Sequence, residues 1–577
     1  MQAQRLLAQR LLARRFLQAI GLAVLLGSIW LGGARGALAD QGGNSAPTPA
    51  TATPAAAPAE AQAAGGATAT VAEPRACPPA VKAKNGAGGE KSALRVSLEK
   101  ALPILILVLV IAFVLARLPK IEGVDHSPAF RRRRVLNWLP LGLTYAFLYM
   151  GRYNLQVSKK AFDHMVDGAG HSLMANADFG FIFMVGTITY GVAFVFNGPL
   201  TDRFGGRRAI LVAAAGAAVA NLAMGLCALA LLQRWDGSAW IASHFVPLFA
   251  LLYGVNMYFQ SFGAVAVVKV NAPWFHLRER GVFGAIFGIL ISLGVYFAFD
   301  WSALVLKYFG LQSVFFAPAA LLALFFVADA LLVADTPGQA GLRDFDTADE
   351  PGEGRRLGVA SVFALMLRHP IIMMIACIEF CSGFLRQAIM QWYTIFAGQT
   401  DAALGLQGQF VSQNWGLLLC VAGILGGVVA GVISDRLFQA RRGPVALLLY
   451  AVMLAGAVLM AFTYRTAIVG PLVILMSMAV IGVHGMLSGT ASMDFGGRHN
   501  TGVAVGIIDG FVYLGTGMMS LLYSFILPQE KVDACGRIVG PAADPASWQS
   551  WPVSMIAVAL VGTLLATRLW NARPRSG

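Results

Sequence analysis

Apolar runs of about 20 residues, the length that crosses a bilayer as a helix, recur from about residue 100 to the C-terminus. A water-soluble core has no use for so many uninterrupted apolar segments. In lipid, each such segment must pair its own backbone N–H and C=O groups, which restricts it to a helix. Of 577 residues, 57% are hydrophobic and 12% charged, about half the charged share of a soluble domain. The 64 glycines suit helices packed closely in a membrane. The expected fold class is an all-α polytopic membrane protein.

Twelve spans are expected at about 136–156, 178–200, 208–232, 244–270, 281–304, 313–335, 369–397, 410–434, 443–463, 468–492, 502–527 and 551–570. They divide into an N-terminal six-helix half (135–335), a central loop (336–368) and a C-terminal six-helix half (369–571). Three segments precede them. Residues 1–39 read as a secretory signal: Arg10, Arg14 and Arg15, then an apolar run to Trp30, then Ala37-Leu38-Ala39 as a small-residue cleavage site. An uncleaved anchor helix is the alternative. Residues 40–97, dominated by Ala, Pro, Gly and Thr, bury too little apolar surface to offset ordering entropy and read as a disordered tether. Residues 98–118 form an extra hydrophobic helix outside the twelve.

The net charge of +14 sits mainly in short loops: Arg131 to Arg134, Arg203/Arg207/Arg208, Arg278/Arg280, Arg436/Arg441/Arg442 and Arg568/Arg573/Arg575. One orientation places these loops on the cytoplasmic side, with the tether outside and the C-terminus inside. The same distribution argues against a nucleic-acid partner, since no basic stripe with interleaved aromatics occurs. Expression of a reporter fused at residue 60 and another at the C-terminus should report opposite sides; same-side signals would contradict this topology.

Cys227, Cys377, Cys381 and Cys420 fall in apolar helices as small packing groups. Cys377 and Cys381 are one turn apart without further ligands, so no metal site is expected. Cys77 and Cys535 lie in polar segments expected outside, where a disulfide between them is a testable pairing. No cofactor is expected: a nucleotide-binding glycine loop and a hydrolytic constellation are both lacking.

The loop after the second span reads Gly198-Pro-Leu-Thr-Asp202-Arg203-Phe-Gly-Gly-Arg207-Arg208, and that after the eighth reads Gly431-Val-Ile-Ser-Asp435-Arg436, followed by Arg441-Arg442. The aspartates stand 233 residues apart (435 − 202). In this pattern a glycine permits helix approach, the aspartate caps or pairs with a neighbouring helix end, and the arginines remain at the surface. Arg152 in the first span and Arg386 in the seventh are 234 residues apart (386 − 152), nearly the same period. Equivalent positions in two repeated halves place them facing each other across a central cavity. Guanidiniums stay charged there, and their planar forks match a phosphate or carboxylate. The competing reading is that each snorkels or pairs with an acid, with Glu379 seven residues before Arg386.

The repeated loop resembles the signature of the major facilitator superfamily, secondary transporters built from two pseudo-symmetric halves. The first-span segment Tyr145…Tyr149…Arg152-Tyr153-Asn154 resembles the organophosphate:phosphate antiporter branch, which includes glycerol-3-phosphate and hexose-phosphate transporters. Tyr190-Gly191, Asn256-Met-Tyr-Phe259-Gln260-Ser-Phe-Gly263, Trp274-Phe275…Arg278-Glu279-Arg280-Gly281 and Gly506…Phe511-Val-Tyr513-Leu-Gly515 agree with it. The likeness covers roughly residues 130–570. It implies a twelve-helix major facilitator fold in a bacterial inner membrane and a substrate site at Arg152, Arg386, Tyr145, Tyr149, Tyr190, Asn256, Gln260 and Tyr513. Each tyrosine is alternatively a packing residue with a satisfied hydroxyl. The sequence departs from the branch at Phe194 and Ile291, where a Lys and a His are common, and at Tyr153 and Gln391, where glycerol-3-phosphate transporters carry a Lys and an Asp.

Three ionisable residues in apolar helices, Glu379, His484 and Asp509, are candidate coupling residues. The resemblance implies exchange of a small organic phosphate for inorganic phosphate by alternating access. Two other functions remain open here: proton-coupled transport of another organic anion such as a carboxylate, and a membrane sensor of organophosphates. The expected partners are a small anion and the lipid bilayer, and the sequence leaves the oligomeric state open.

Overall fold

The computed structural model describes residues 93–116, 121, 127–165, 172–276, 279–347, 367–439, 441–491, 501–533 and 537–571. All of these lie in one compact unit, Pro79–Gly577. The signal-like segment 1–39, the tether up to residue 92, Cys77, Cys535, Arg278 and most of the central loop 336–368 lie outside the described residues, as do the side chains of Asp202 and Arg280.

A first helix, α1 (Ala93–Ala116), precedes twelve long ones. The N-terminal half contains α2 (Pro128–Asp163), α3 (Asn176–Phe204), α4 (Gly206–Gln233), α5 (Phe245–Asn271), α6 (Arg280–Tyr296) and α7 (Leu311–Leu332). The C-terminal half contains α8 (Pro370–Met390), α9 (Trp415–Leu437), α10 (Arg442–Thr463), α11 (Val469–His484), α12 (Thr501–Ile526) and α13 (Ser550–Arg568). A two-stranded antiparallel ribbon, β1 (Lys531–Val532) with β2 (Ile538–Val539), lies between α12 and α13. Among the described residues, 11 helical stretches are long and apolar enough to cross a membrane. The helix α2 is not one of them, although it is 36 residues long; Arg131–Arg134 at its start, Arg152, and Lys159, Lys160 and Asp163 at its end dilute the apolar run.

Local chemistry sets the helix boundaries. The Ser127 hydroxyl accepts from the Phe130 amide at 3.1 Å, and Pro128 occupies the first turn, where no amide hydrogen bond is needed. The expected spans at 281–304 and 468–492 are not uniform α-helices. A π-helical turn, Phe297–Trp301, follows α6 and leads into Ser302–Phe309, and a second, Gly485–Ala491, follows α11. A wider turn re-aims the side chains beyond it, a feature that apolar periodicity does not reveal.

Within the N-terminal half α5 packs on α3 and α4, and α7 on α2 and α4; in the C-terminal half α8 packs on α12, and α10 on α11 and α13. Among the described residues the most extensive contacts between the halves are α3 along α12 and α6 along α9. The α8–α12 crossing is a close one. A Cβ at Gly383 would collide with the Val512 carbonyl, and one at Gly515 with the Phe380 carbonyl. Thr516 donates its hydroxyl to the Gly383 carbonyl at 3.3 Å. Only glycine permits this approach, and it fixes Arg386, one turn beyond Gly383, beside Tyr513, two residues before Gly515.

The expected role of the loop glycines needs correction. A Cβ at Gly198 or at Gly431 would meet open space, so neither makes a close helix approach in this arrangement. In the first copy the approach is made by Gly206, eight residues later, whose Cβ would lie 2.9 Å from the Val270 amide nitrogen. The loop is also tied through Asp335, which the sequence reading missed: its carboxylate accepts from the Arg207 amide at 2.7 Å. The Arg207 guanidinium donates to the Ala330 carbonyl. Arg203 is exposed. In the second copy Asp435 pairs with Arg442 at 3.4 Å, and Arg442 donates to Ser434 at 2.8 Å, while Arg436 is exposed. The expected pairing of aspartate with the next helix is made in this copy.

Candidate anion-binding site

Arg152 sits in the second half of α2 and is 1% exposed. Its Nε donates to Gln260 at 3.1 Å and its Nη1 donates to the Tyr513 hydroxyl at 2.6 Å, but its buried Nη2 has no partner. The rings of Tyr149 and Tyr190 each lie 4.6 Å from the guanidinium carbon and that of Tyr513 lies at 5.8 Å. These ring faces stabilise the cation without neutralising it. Tyr190 and Tyr513 pack with centroids 4.0 Å apart, linking the two halves. Tyr145 meets Tyr149 edge-on at 5.5 Å and stands one ring further from the guanidinium.

Arg152 is held from behind. Asn256 donates to the Gly151 carbonyl at 2.8 Å and accepts from Gln260 at 3.0 Å, and the Tyr253 hydroxyl donates to the Arg152 carbonyl at 2.9 Å. Asn256, expected at the substrate, therefore positions the α2 backbone and orients Gln260. Asn221 extends the network, donating to Asn256 at 3.1 Å and accepting from Asn154 at 2.6 Å. A Cβ at Gly151 would come within 2.8 Å of the Asn221 amide nitrogen, so glycine reserves the space. Sequence reasoning missed Asn221 and Tyr253. The available signal was a lone Asn in the alanine-rich α4, because a buried amide in an apolar helix needs a partner.

Arg386, on α8, is half-buried, makes no hydrogen bond among the described residues, and has an unpartnered buried Nε. Its electrostatic neighbours are Tyr153, Tyr513, Tyr149 and Glu379. Tyr149 and Tyr513 neighbour Arg152 as well, so the two arginines share these two rings. Neither arginine has a carboxylate within ion-pair distance among the described residues. Glu379 instead meets His484 Nδ1 at 2.9 Å and leaves its other oxygen, Oε1, buried without a partner. Asp509 accepts from the Ser488 hydroxyl.

The departures from the antiporter pattern form neutral substitutes. Gln387 donates to the Tyr153 hydroxyl at 3.0 Å, and Gln391 donates to Gln387 at 3.3 Å. An amide chain thus joins α2 to α8 where a Lys and an Asp are absent, and no charge is stranded. Phe194 stacks on Tyr190 at 5.8 Å. Ile291 packs, partly buried, against the apolar cluster around Leu290 and Leu293.

A second polar cluster closes the bundle at the end away from the signature loops. Lys159 Nζ donates to Asp163 at 2.6 Å, to Glu530 at 2.7 Å and to the Met174 carbonyl at 3.0 Å. Glu530, from the C-terminal half, also accepts from the Asn176 amide at 3.0 Å. Asn176 donates to Gln399 at 2.9 Å and to the Pro528 carbonyl at 2.7 Å. Asp163 lies beyond the expected span, which ends at 156. Burial pushes its carboxyl up to about 7, with Lys159 opposing and Glu530 adding; Asp178 also faces Lys159 and Glu530. Opening this end returns Asp163 to water, so the closed form holds the proton more tightly. The contribution of Asp163 to closure is therefore full below the ordinary carboxylate value, about 4, and is lost as pH rises from there to about 7. Cross-linking between the far ends of the halves should fall as pH rises from about 4 to about 7; a pH-independent yield would exclude this linkage.

The sequence model of the Major Facilitator Superfamily matches residues 141–520, more than half of the chain. This protein belongs to the major facilitator superfamily. It is a multi-pass membrane protein, and the curated relatives it matches place it beside the organophosphate branch. It is 23% identical over 486 residues to a glycerol-3-phosphate transporter of Bacillus subtilis (strain 168), covering 79% of this chain and 98% of that one. It is 22% identical to a probable hexose phosphate transport protein of Chlamydia trachomatis, covering 79% and 94%, and 25% identical to the membrane sensor protein UhpC of Salmonella typhimurium, covering 68% and 85%. Among solved structures, a D-xylose-proton symporter superposes with a TM-score of 0.53 at 15% identity, covering 76% of this chain and 97% of that one. The nucleoside transporter NupG superposes at 0.50 and 14%, covering 75% and 100%. These structures share the fold.

Proposed function

We propose that this protein carries a small organic phosphate, of the glycerol-3-phosphate or sugar-phosphate kind, across a bacterial inner membrane. The carrying observation is a pair of arginines from equivalent helices of the two halves. They share Tyr149 and Tyr513, have no carboxylate within ion-pair distance among the described residues, and retain unpartnered buried N–H groups at Arg152 Nη2 and Arg386 Nε. An anion supplies the missing charge and acceptors. The names of the relatives support phosphate esters as the anion class.

Transport proceeds by alternating access, the anion binding between the halves and inorganic phosphate returning in exchange. In this conformation the Lys159–Glu530 end is closed, and Tyr513 from α12 occupies Arg152 Nη1. An arriving phosphate competes with that hydroxyl for the guanidinium, so loading the site loosens a bond between the halves. Counterflow in proteoliposomes tests the assignment with a panel of organic phosphates and carboxylates. Labelled glycerol-3-phosphate or hexose phosphate should accumulate against internal inorganic phosphate. Uptake of carboxylates alone would refute the phosphate assignment, and saturable binding without uptake would convert it to the sensor reading.

The Glu379–His484 contact favours one second reading, coupling to protons. A carboxylate buried with a free oxygen beside an imidazole is a proton-accepting pair, and Asp509 has both His484 and Arg386 among its electrostatic neighbours. Uptake driven by a pH gradient with no phosphate in the opposite compartment would establish this reading over exchange.

A further inference from the structure

We propose that α1, which precedes the family match at 141–520, is a clamp that holds the two halves together at the far end through Lys100. This rests on the alternating-access reading of the two halves. The ammonium of Lys100 uses all three donors. One pairs with Asp300 of the N-terminal half, one reaches the Asn414 side-chain oxygen at 2.9 Å, and one reaches the Gln413 carbonyl at 3.0 Å, the last two in the C-terminal half. The Lys100 backbone is fixed separately, its carbonyl accepting from the Tyr296 hydroxyl at 2.6 Å.

Asp300 lies in the π-helical turn after α6, and its side chain is 2% exposed. Its second oxygen accepts from the Leu417 amide at 3.0 Å, in the first turn of α9. One buried carboxylate is thus shared between the ammonium of α1 and the positive end of a helix in the opposite half. Below Lys100, Ile111 is buried in the apolar cluster with Trp138, Leu141 and Leu290, all of the N-terminal half. The outward face of α1 carries Leu102, Leu105, Ile106, Leu109 and Phe113, all exposed, as on a lipid-facing helix. The apolar contacts therefore tie α1 to the N-terminal half, and Lys100 adds its bonds to the C-terminal half.

Opening the far end separates α6 from α9. Asp300 then leaves the Leu417 amide, and Lys100 releases Gln413 and Asn414 while keeping Asp300. The extra helix biases the transporter towards closure at this end.

The test uses the full-length protein without its natural cysteines, spin-labelled at Asp236→Cys and Ala467→Cys, exposed positions in far-end loops of the two halves. Distances are read by pulsed electron resonance without substrate. Lys100→Met should raise the population of the long-distance form about tenfold. Lys100→Met with Asp300→Asn removes the stranded carboxylate but not the lost bonds to Gln413 and Asn414, and should remain shifted. Asn414→Ala, which strands no charge, should shift in the same direction and serves if the lysine variant does not fold. Unchanged distributions in Lys100→Met and Asn414→Ala, or full recovery in the double variant, would overturn the clamp. Failure of the transport reading shows separately, as a wild-type protein whose distances and counterflow do not respond to organic phosphates.

Discussion

Replacing Arg152 or Arg386 by lysine should each cripple transport while leaving the protein folded and inserted. Lysine keeps the charge, so an anion is still attracted, but the planar two-point grip is lost. Each variant should lose more than about 1.5 kcal/mol of binding, the low end for a charge-assisted hydrogen bond, which is more than about tenfold in affinity. The position of Arg152 sharpens the expectation. Its bonds to Gln260 and Tyr513 stabilise the closed arrangement as well as the site, so Arg152→Lys should also lower thermal stability, whereas Arg386, which makes no such bonds, should not. A binding titration on purified variants separates the effects. Wild-type affinity in both would remove the paired-arginine site and the phosphate assignment with it.

Lys159→Met should produce the largest loss of stability in the molecule. The lysine side chain is 1% exposed, and its removal leaves the carboxylates of Asp163 and Glu530 buried together without a cation. Breaking a buried pair in this way costs about 3–5 kcal/mol. Neutralising both partners in the same protein, with Asp163→Asn and Glu530→Gln, should recover much of the loss, because the penalty lies in stranded charge. Thermal unfolding in detergent measures both steps. A Lys159→Met protein as stable as the wild type would show that water reaches these carboxylates and that the cluster does not hold the halves together.

The residues that stood out in the sequence as candidates share one property: they violate the surrounding solvent. Arg152, Arg386, Glu379, His484 and Asp509 are costly in an apolar helix, so each stands out without any coordinates. The 234-residue separation then pairs the arginines through the repeat. Asn256 and Gln260 were named through the family resemblance, but not their division of labour. Which polar group touches the guanidinium and which holds the backbone behind it depends on helix rotation, and an apolar helix without a strong polar face leaves rotation undetermined. Asp335 and Lys100 were not singled out because charge near a helix end is common and is normally solvated.

The sequence by itself determined that this chain is a membrane bundle with a doubled architecture and an arginine in each half at the same place. Those conclusions follow from transfer free energy and internal repetition, which act residue by residue along the chain. The tertiary structure decided how the charges are apportioned. Glu379 is taken by His484, so Arg386 is left without an ion pair among the described residues; Asp300 is taken by Lys100, so α1 is bonded to both halves; Lys159 is divided between Asp163 and Glu530, so one end is closed. Each choice is made between residues more than a hundred positions apart, except Lys159 with Asp163. In a low-dielectric interior the few ångströms that settle it are set by helix packing, at contacts such as Gly383 on Val512 and Gly151 beside Asn221.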